Sequence, residues 1–143
     1  MALKVELKPG ERIIIGESLI TNGDQRARLL IDGEQPILRE KDVLTPETAS
    51  TPAQQVYLAV QMMYLKNDIS GFQDSYFSLI SELTDAAPST RPIVDEINNQ
   101  ILTGSFYKAL KVARGLIAYE GALLEHVQSG SGTSVPVDEP AGD

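Results

Sequence analysis

Arg39-Glu40-Lys41-Asp42 follows the apolar pair Ile37-Leu38. If Leu38 points inward on a strand, Arg39 points to the opposite face. There its planar guanidinium would suit a phosphate or a guanine edge. The plain alternative is a solvated charged run at a strand end. Arg26 and Arg28, two apart, project from one strand face while Ala27, Leu29 and Ile31 take the other. Beside Arg39 they would make a phosphate-binding rim; otherwise they are a solvent face balanced by Asp24 and Glu17. Lys108, Lys111 and Arg114, three apart, form a basic stripe on a helix, and Tyr107 beside them could stack on a base. A salt-bridged outer helix face has the same pattern. Tyr57 and Tyr64, seven apart, share a helix face and read as core or partner surface.

Other reactive types are poorly placed for catalysis. His126 is the single histidine and the chain has no cysteine, so no His/Cys metal cluster is expected. It falls near the end of the last helical pattern, where a favourable interaction with the helix terminus is its simplest role. Asp95 and Glu96 are adjacent on a helix and diverge by about 100°. No G-x-S-x-G turn and no phosphate-cradling glycine loop occurs. The expectation is a protein that is not an enzyme and needs no cofactor.

Positioning these residues requires two kinds of element. In 1–44, Leu3, Val5 and Leu7 alternate with Lys4, Glu6 and Lys8, the period of a half-buried strand. Pro9-Gly10 breaks that strand, Ile13-Ile14-Ile15 starts another and Gly16 ends it. Asn22-Gly23 between Leu19-Ile20 and Gln25–Ile31 predicts a hairpin, and Asp32-Gly33 marks a further turn. From 45 to 128 the period becomes helical. Thr51-Pro52-Ala53-Gln54 offers an N-cap, a proline at the first helical position and a capping-box glutamine. Val56, Ala59, Val60 and Met63 follow as an apolar stripe, to about Lys66. A second helix carries Phe72, Tyr76, Leu79, Ile80 and Leu83 and stops at Pro88. Ser89 or Thr90 would cap a third, with Ile93, Val94, Ile97 and Ile101 inward and Gly104 as terminator. The last runs from about Ser105 to Val127, with Phe106, Leu110, Ala113, Ile117 and Leu124 inward; Gly115 and Gly121 interrupt it. Residues 129–143 read as a disordered acidic tail. The predicted class is α+β: a small N-terminal antiparallel β unit, a bundle of about four helices and the tail.

The formal net charge is −8, but its distribution is uneven. Residues 1–44 hold seven Lys/Arg against eight Asp/Glu, residues 45–128 five against nine, and 129–143 three acids with no base. Counterion release rewards clustered cations, so any phosphate contact is expected in the β unit. No apolar stretch is long enough to span a bilayer, and the alternating N-terminus lacks the apolar core of a signal peptide. A soluble cytoplasmic protein is expected, with no membrane partner. A β unit this small buries too little alone, and its open edges predict a homo-oligomer, most simply a dimer.

The string MALKVELKPGERIIIGESLITNGDQRARLLIDGEQPILREKDVLTPETA resembles the start of the FlbT family, flagellar biosynthesis repressors of alphaproteobacteria. The resemblance continues through Val56–Gln61, Ala87–Thr90 and Ile101–Gly104 to Tyr107–Lys111. It implies a protein that acts after transcription, associating with the 5′ untranslated region of flagellin mRNA and lowering its translation and lifetime. A shorter resemblance links Gly10-Glu11, Ile13–Gly16 and Arg39-Glu40 to the carbon storage regulators, CsrA. Those proteins bind GGA-containing messenger leaders through the first and last strands of an intertwined β dimer. It implies RNA contacts at Arg39 and Lys8, although Leu7 stands where that family has another arginine. Arg39, Arg26, Arg28, Lys8 and Lys41 would then meet the flagellin mRNA leader, with Lys108, Lys111 and Arg114 as a secondary stripe. Charge reversal at Arg39 is expected to weaken leader binding without changing thermal melting. The other reading is a protein-interaction module whose helices or β edge hold flagellin or a FlaF-type regulator, with indirect effects on RNA.

Overall fold

The alternation of the first strand places Val5 and Leu7 in a buried layer and leaves Lys4 and Glu6 in solvent. The computed structural model describes residues 2–130. It contains β1 (Leu3–Leu7), β2 (Arg12–Ile15), β3 (Ser18–Thr21), β4 (Ala27–Ile31) and β5 (Ile37–Arg39). Four helices follow: α1 (Pro52–Lys66), α2 (Gln73–Ala86), α3 (Arg91–Leu102) and α4 (Phe106–Gly130). The predicted α+β class is the observed one.

The five strands form two sheets. β1 pairs antiparallel with β4, while β2 lies between β3 and β5, antiparallel to both. The expected hairpin across Asn22-Gly23 is therefore overturned, because β3 and β4 belong to different sheets. The Asn22 amide explains the change: its Nδ2 donates to the carbonyls of Leu7, Lys8 and Gln25 at 3.2, 2.8 and 2.8 Å. Gly10 N–H adds a bond to Gly23 O at 3.0 Å. Those bonds make a corner that crosses from one sheet to the other. The tight hairpin lies one turn earlier, at Gly16-Glu17. There Gly16 has φ +63°, the sign that a primed two-residue turn needs at its first central position.

The sheets stack through Val5, Leu7 and Ile13, with Ile15, Leu29, Ile31 and Ile37 against them. On the other face of the three-stranded sheet, Leu38 enters the helical core with Val56, Val60, Met63, Tyr76, Ile97 and Leu110. The β2–β3–β5 sheet is thus a middle layer between β1–β4 and the helices. Each large apolar side chain buried there contributes about 1.5–3 kcal/mol against conformational entropy.

α1 starts as its residues dictate: Thr51 and Gln54 form the reciprocal capping box, with Pro52 at the first position. It ends at Asn67 in the left-handed region, φ 54°. α3 differs from expectation. Thr90 is helical in backbone and its hydroxyl donates to Ala87 O at 2.7 Å, so neither it nor Ser89 caps the helix by side chain. The 3₁₀ turn Pro88–Thr90 feeds α3 directly. α4 packs Ala109, Leu110, Ala113 and Leu116 inward, but Leu124 is about half exposed, against expectation. It lies a turn past Glu120, whose Oε2 accepts the Ala53 N–H at 3.0 Å and ties α4 to the start of α1. α4 also extends to Gly130, beyond the expected stop near Val127. The rest of the acidic tail lies outside the described residues.

Candidate functional site

Three arginines singled out by the sequence converge on Glu6. On β4, Arg28 stands directly across from Glu6 in the register, with Nη2 3.4 Å from Glu6 Oε2. Arg26, just before that strand, brings Nη1 to 3.8 Å from Oε1. Ala27, Leu29 and Ile31 face the other way, so the two-residue spacing does set one cationic face. Arg39 reaches across from β5 and donates from Nη2 to the main-chain oxygen of Glu6 at 2.7 Å. Its Nη1 lies 3.7 Å from Glu11 Oε2. Leu38 points into the helical core, so Arg39 takes the opposite face as predicted.

These contacts divide the arginines by kind. Arg26 and Arg28 are about two-thirds exposed, as is Glu6, and such pairs contribute little because water solvates both charges well. An incoming phosphate could take Glu6's place at small cost. Arg39 is one-third exposed and ties β5 to β1 through a carbonyl, so it also holds the two sheets together. The partner of the Arg26–Arg28 face is Glu6 rather than Asp24 or Glu17. Among the described residues, Lys8 and Lys41 are exposed and make no ion pair; Lys41 sits in the 3₁₀ turn Glu40–Asp42. Arg12 lies beside that turn, 3.3 Å from Glu40.

The basic stripe of α4 is split by its surroundings. Lys111 Nζ lies 5.4 Å above the Tyr107 ring, within cation–π range. Lys108 lines a cavity of about 670 Å³ with Lys66, Asn67, Tyr64, Glu17 and Glu34. Arg114 is drawn to Asp42, 3.5 Å away, and to the Tyr57 hydroxyl, which raises its already high pKa. The Tyr64 and Tyr107 rings meet at 5.5 Å, and a second cavity of about 420 Å³ continues past them to Lys4 and Arg39. Lys108 lines the first cavity and Lys4 and Arg39 the second, and the two share Gln35, Tyr64 and Tyr107 at the junction of sheet and helices. Glu17, Glu34 and Asp42 line them too, so the junction is not a purely cationic channel.

One face of α1 fixes this junction. The Tyr57 hydroxyl donates to Asp42 O. Gln61 accepts the Leu44 N–H at 2.8 Å and donates to Leu44 O at 2.9 Å. Tyr64 does the same for Ile37. The spacing 57, 61, 64 puts all three on one helical stripe. Sequence reasoning grouped the two tyrosines and missed the glutamine between them, whose place on an apolar face was the available signal. Burial pushes the phenols of Tyr57 and Tyr64 up in pKa; a hydrogen bond with Arg114 opposes this at Tyr57, and the Ile37 main chain opposes it at Tyr64.

No group of three or more His, Cys, Asp or Glu among the described residues is arranged to hold a metal ion. No helix among them is long and apolar enough to cross a membrane.

No solved structure matches the chain. It is 64% identical over 124 residues to the probable flagellum biosynthesis repressor protein FlbT 1 of Bradyrhizobium diazoefficiens, covering 86% of this chain and 85% of the relative. It is 57% identical over 124 residues to the probable repressor FlbT of Rhodopseudomonas palustris, covering 87% and 98%. The flagellum biosynthesis repressor protein FlbT of Caulobacter vibrioides is 37% identical over 135 residues, with 91% and 94% covered. The family profile described as flagellar protein FlbT matches residues 3–124, which takes in every strand, the first three helices and most of α4. The chain belongs to the FlbT family of flagellar proteins.

Proposed function

We propose that the protein is a cytoplasmic post-transcriptional repressor of flagellin synthesis. It associates with the 5′ untranslated region of flagellin mRNA and lowers its translation or lifetime. The observation that carries the reading is the gathering of Arg26, Arg28 and Arg39 around Glu6, in a chain whose relatives are named as repressors of flagellum biosynthesis. Arg26 and Arg28, with Lys8 beyond the end of β1 and Lys41 in the following turn, supply exchangeable cations. Arg39 sets the spacing of the two sheets that carry them. Lys108 lines the neighbouring cavity with Tyr107, and Lys111 lies over the Tyr107 ring, so these cations extend the basic surface onto α4.

The test is binding of the purified protein to labelled flagellin leader RNA, against a scrambled leader, with salt titrated. Leader-selective binding should weaken with salt by a log–log slope of about −0.7 per single-strand phosphate neutralised. Arg28→Glu should weaken binding while leaving the fold intact. Absence of selective binding by the folded wild type would remove this reading.

A second reading has its own observation. α1 and α2 leave an open, mainly apolar groove of about 630 Å³ lined by Leu58, Met62, Phe72 and Leu79. That groove suits an amphipathic helix of flagellin or a FlaF-type regulator. RNA effects would then be indirect, and binding would depend weakly on salt.

A further inference from the structure

The two outer strands of the three-stranded sheet are treated differently. In β5 the residues paired to β2 by hydrogen bonds alternate with residues whose main chain points away. Gly16 N–H to Pro36 O, 2.8 Å, fixes the phase, so Ile37 points outward. Its N–H and C=O are both taken by the Tyr64 hydroxyl. That edge is closed at Ile37. In β3 the phase follows from Asn22 N–H to Glu11 O, 2.9 Å: Ile20 and Ser18 bond to β2, while Leu19 and Thr21 present N–H and C=O to the open side. No described residue bonds to those groups. Edges usually carry charge or proline to block pairing. β1 has Lys4 and Glu6, and β4 has Arg28, but Ser18-Leu19-Ile20-Thr21 has neither charge nor proline. All four residues are exposed, Leu19 at 56%.

We infer that β3 pairs with β3 of a second copy of this chain, about a two-fold axis at Ile20, joining two three-stranded sheets into one. The outward groups fix the register. Setting Leu19 against the copy's Thr21, and Thr21 against its Leu19, uses every free main-chain group, two hydrogen bonds per pair. A pairing centred on Leu19 or on Thr21 leaves part of them unmet. Ile20 then faces its own counterpart as a non-hydrogen-bonded pair, where side chains approach most closely. Leu19 lies beside the copy's Thr21 on the opposite face. The occupant is a second copy because the strand is self-complementary in this register. Residues 18–22 also form an uncharged contact between two chains that each carry −8 overall. Nothing in this inference depends on the RNA reading.

The chain has no cysteine, so Ile20→Cys gives a clean test. The facing Cα atoms would lie about 4.5 Å apart, within disulfide reach. Mild oxidation of folded Ile20→Cys should give a covalent dimer on a non-reducing gel, while Ser18→Cys should stay uncrosslinked. Light scattering should give twice the 15.5 kDa chain mass for the wild type. Leu19→Pro removes an outward N–H without touching the β2 ladder and should halve the mass. Should that variant fail to fold, Leu19→Lys at the same exposed position should halve it instead. A wild-type monomer at tens of micromolar would overturn the inference. So would an assembly that survives Leu19→Lys, or one whose Ile20→Cys form does not crosslink.

Discussion

The Tyr64 hydroxyl meets both main-chain groups of Ile37, accepting from N–H at 3.0 Å and donating to C=O at 2.9 Å. One side-chain oxygen on α1 thereby closes the edge of β5 at Ile37 and ties the sheet to the helical bundle. Tyr64→Phe keeps the ring and leaves two main-chain groups without their partner. It should cost about 1–3 kcal/mol in urea unfolding. An unchanged midpoint would mean that water replaces the hydroxyl without loss.

Arg39 and Arg28 should behave differently on truncation. Arg39→Ala removes the short bond to Glu6 O and the partly shielded contact with Glu11, and should cost on the order of 1 kcal/mol. Arg28→Ala, at an exposed pair, should stay within about 0.5 kcal/mol. Thermal melting of the two variants checks the contrast. The sequence-based expectation that charge reversal at Arg39 leaves melting unchanged is replaced by this one.

Glu120 places a carboxylate oxygen on the first turn of α1, 67 residues away in sequence. The helix dipole favours negative charge there. Glu120→Gln keeps an oxygen acceptor and should lose about 0.3–1 kcal/mol; Glu120→Ala loses acceptor and charge and should lose about 1–2. Equal effects in urea melts would show that the charge contributes nothing.

Burial raises the phenol pKa of Tyr57, Tyr64 and Tyr76 in the folded chain. An acid with its folded pKa above its unfolded value contributes stability below the unfolded value, about 10. That contribution is lost as pH rises through the higher folded values. Unfolding free energy should therefore fall above about pH 10 through these residues, and their phenolate absorbance should lag until unfolding releases them. Replacing all three by Phe should flatten this alkaline fall.

Gly115 and Gly121 sit inside α4, where an added Cβ meets nothing within 4 Å. Close packing among the described residues does not require them. Each change to alanine should stabilise by about 0.5–1 kcal/mol, read as a higher melting temperature. A lower melting temperature would point to a helix contact beyond the described residues.

What the sequence determined by itself is local. The side-chain period of 2 chose the buried face of β1 and the common face of Arg26 and Arg28. Thr51, Pro52 and Gln54 fixed the start of α1, and Gly104, at φ +77°, follows the end of α3. Each depends on neighbours a few residues away, so residue type and spacing suffice. The tertiary structure decided which strands are neighbours. Alternation assigns a face but not a partner, and Asn22-Gly23 served equally well as a corner between sheets. It also decided that three arginines share Glu6, that Arg114 turns to Asp42, and that Thr90 bonds backward instead of capping. The ties from Tyr64 to Ile37 and from Glu120 to Ala53 are of the same kind. A long-range polar contact forms where packing of other residues brings donor and acceptor together, and no local pattern records that meeting.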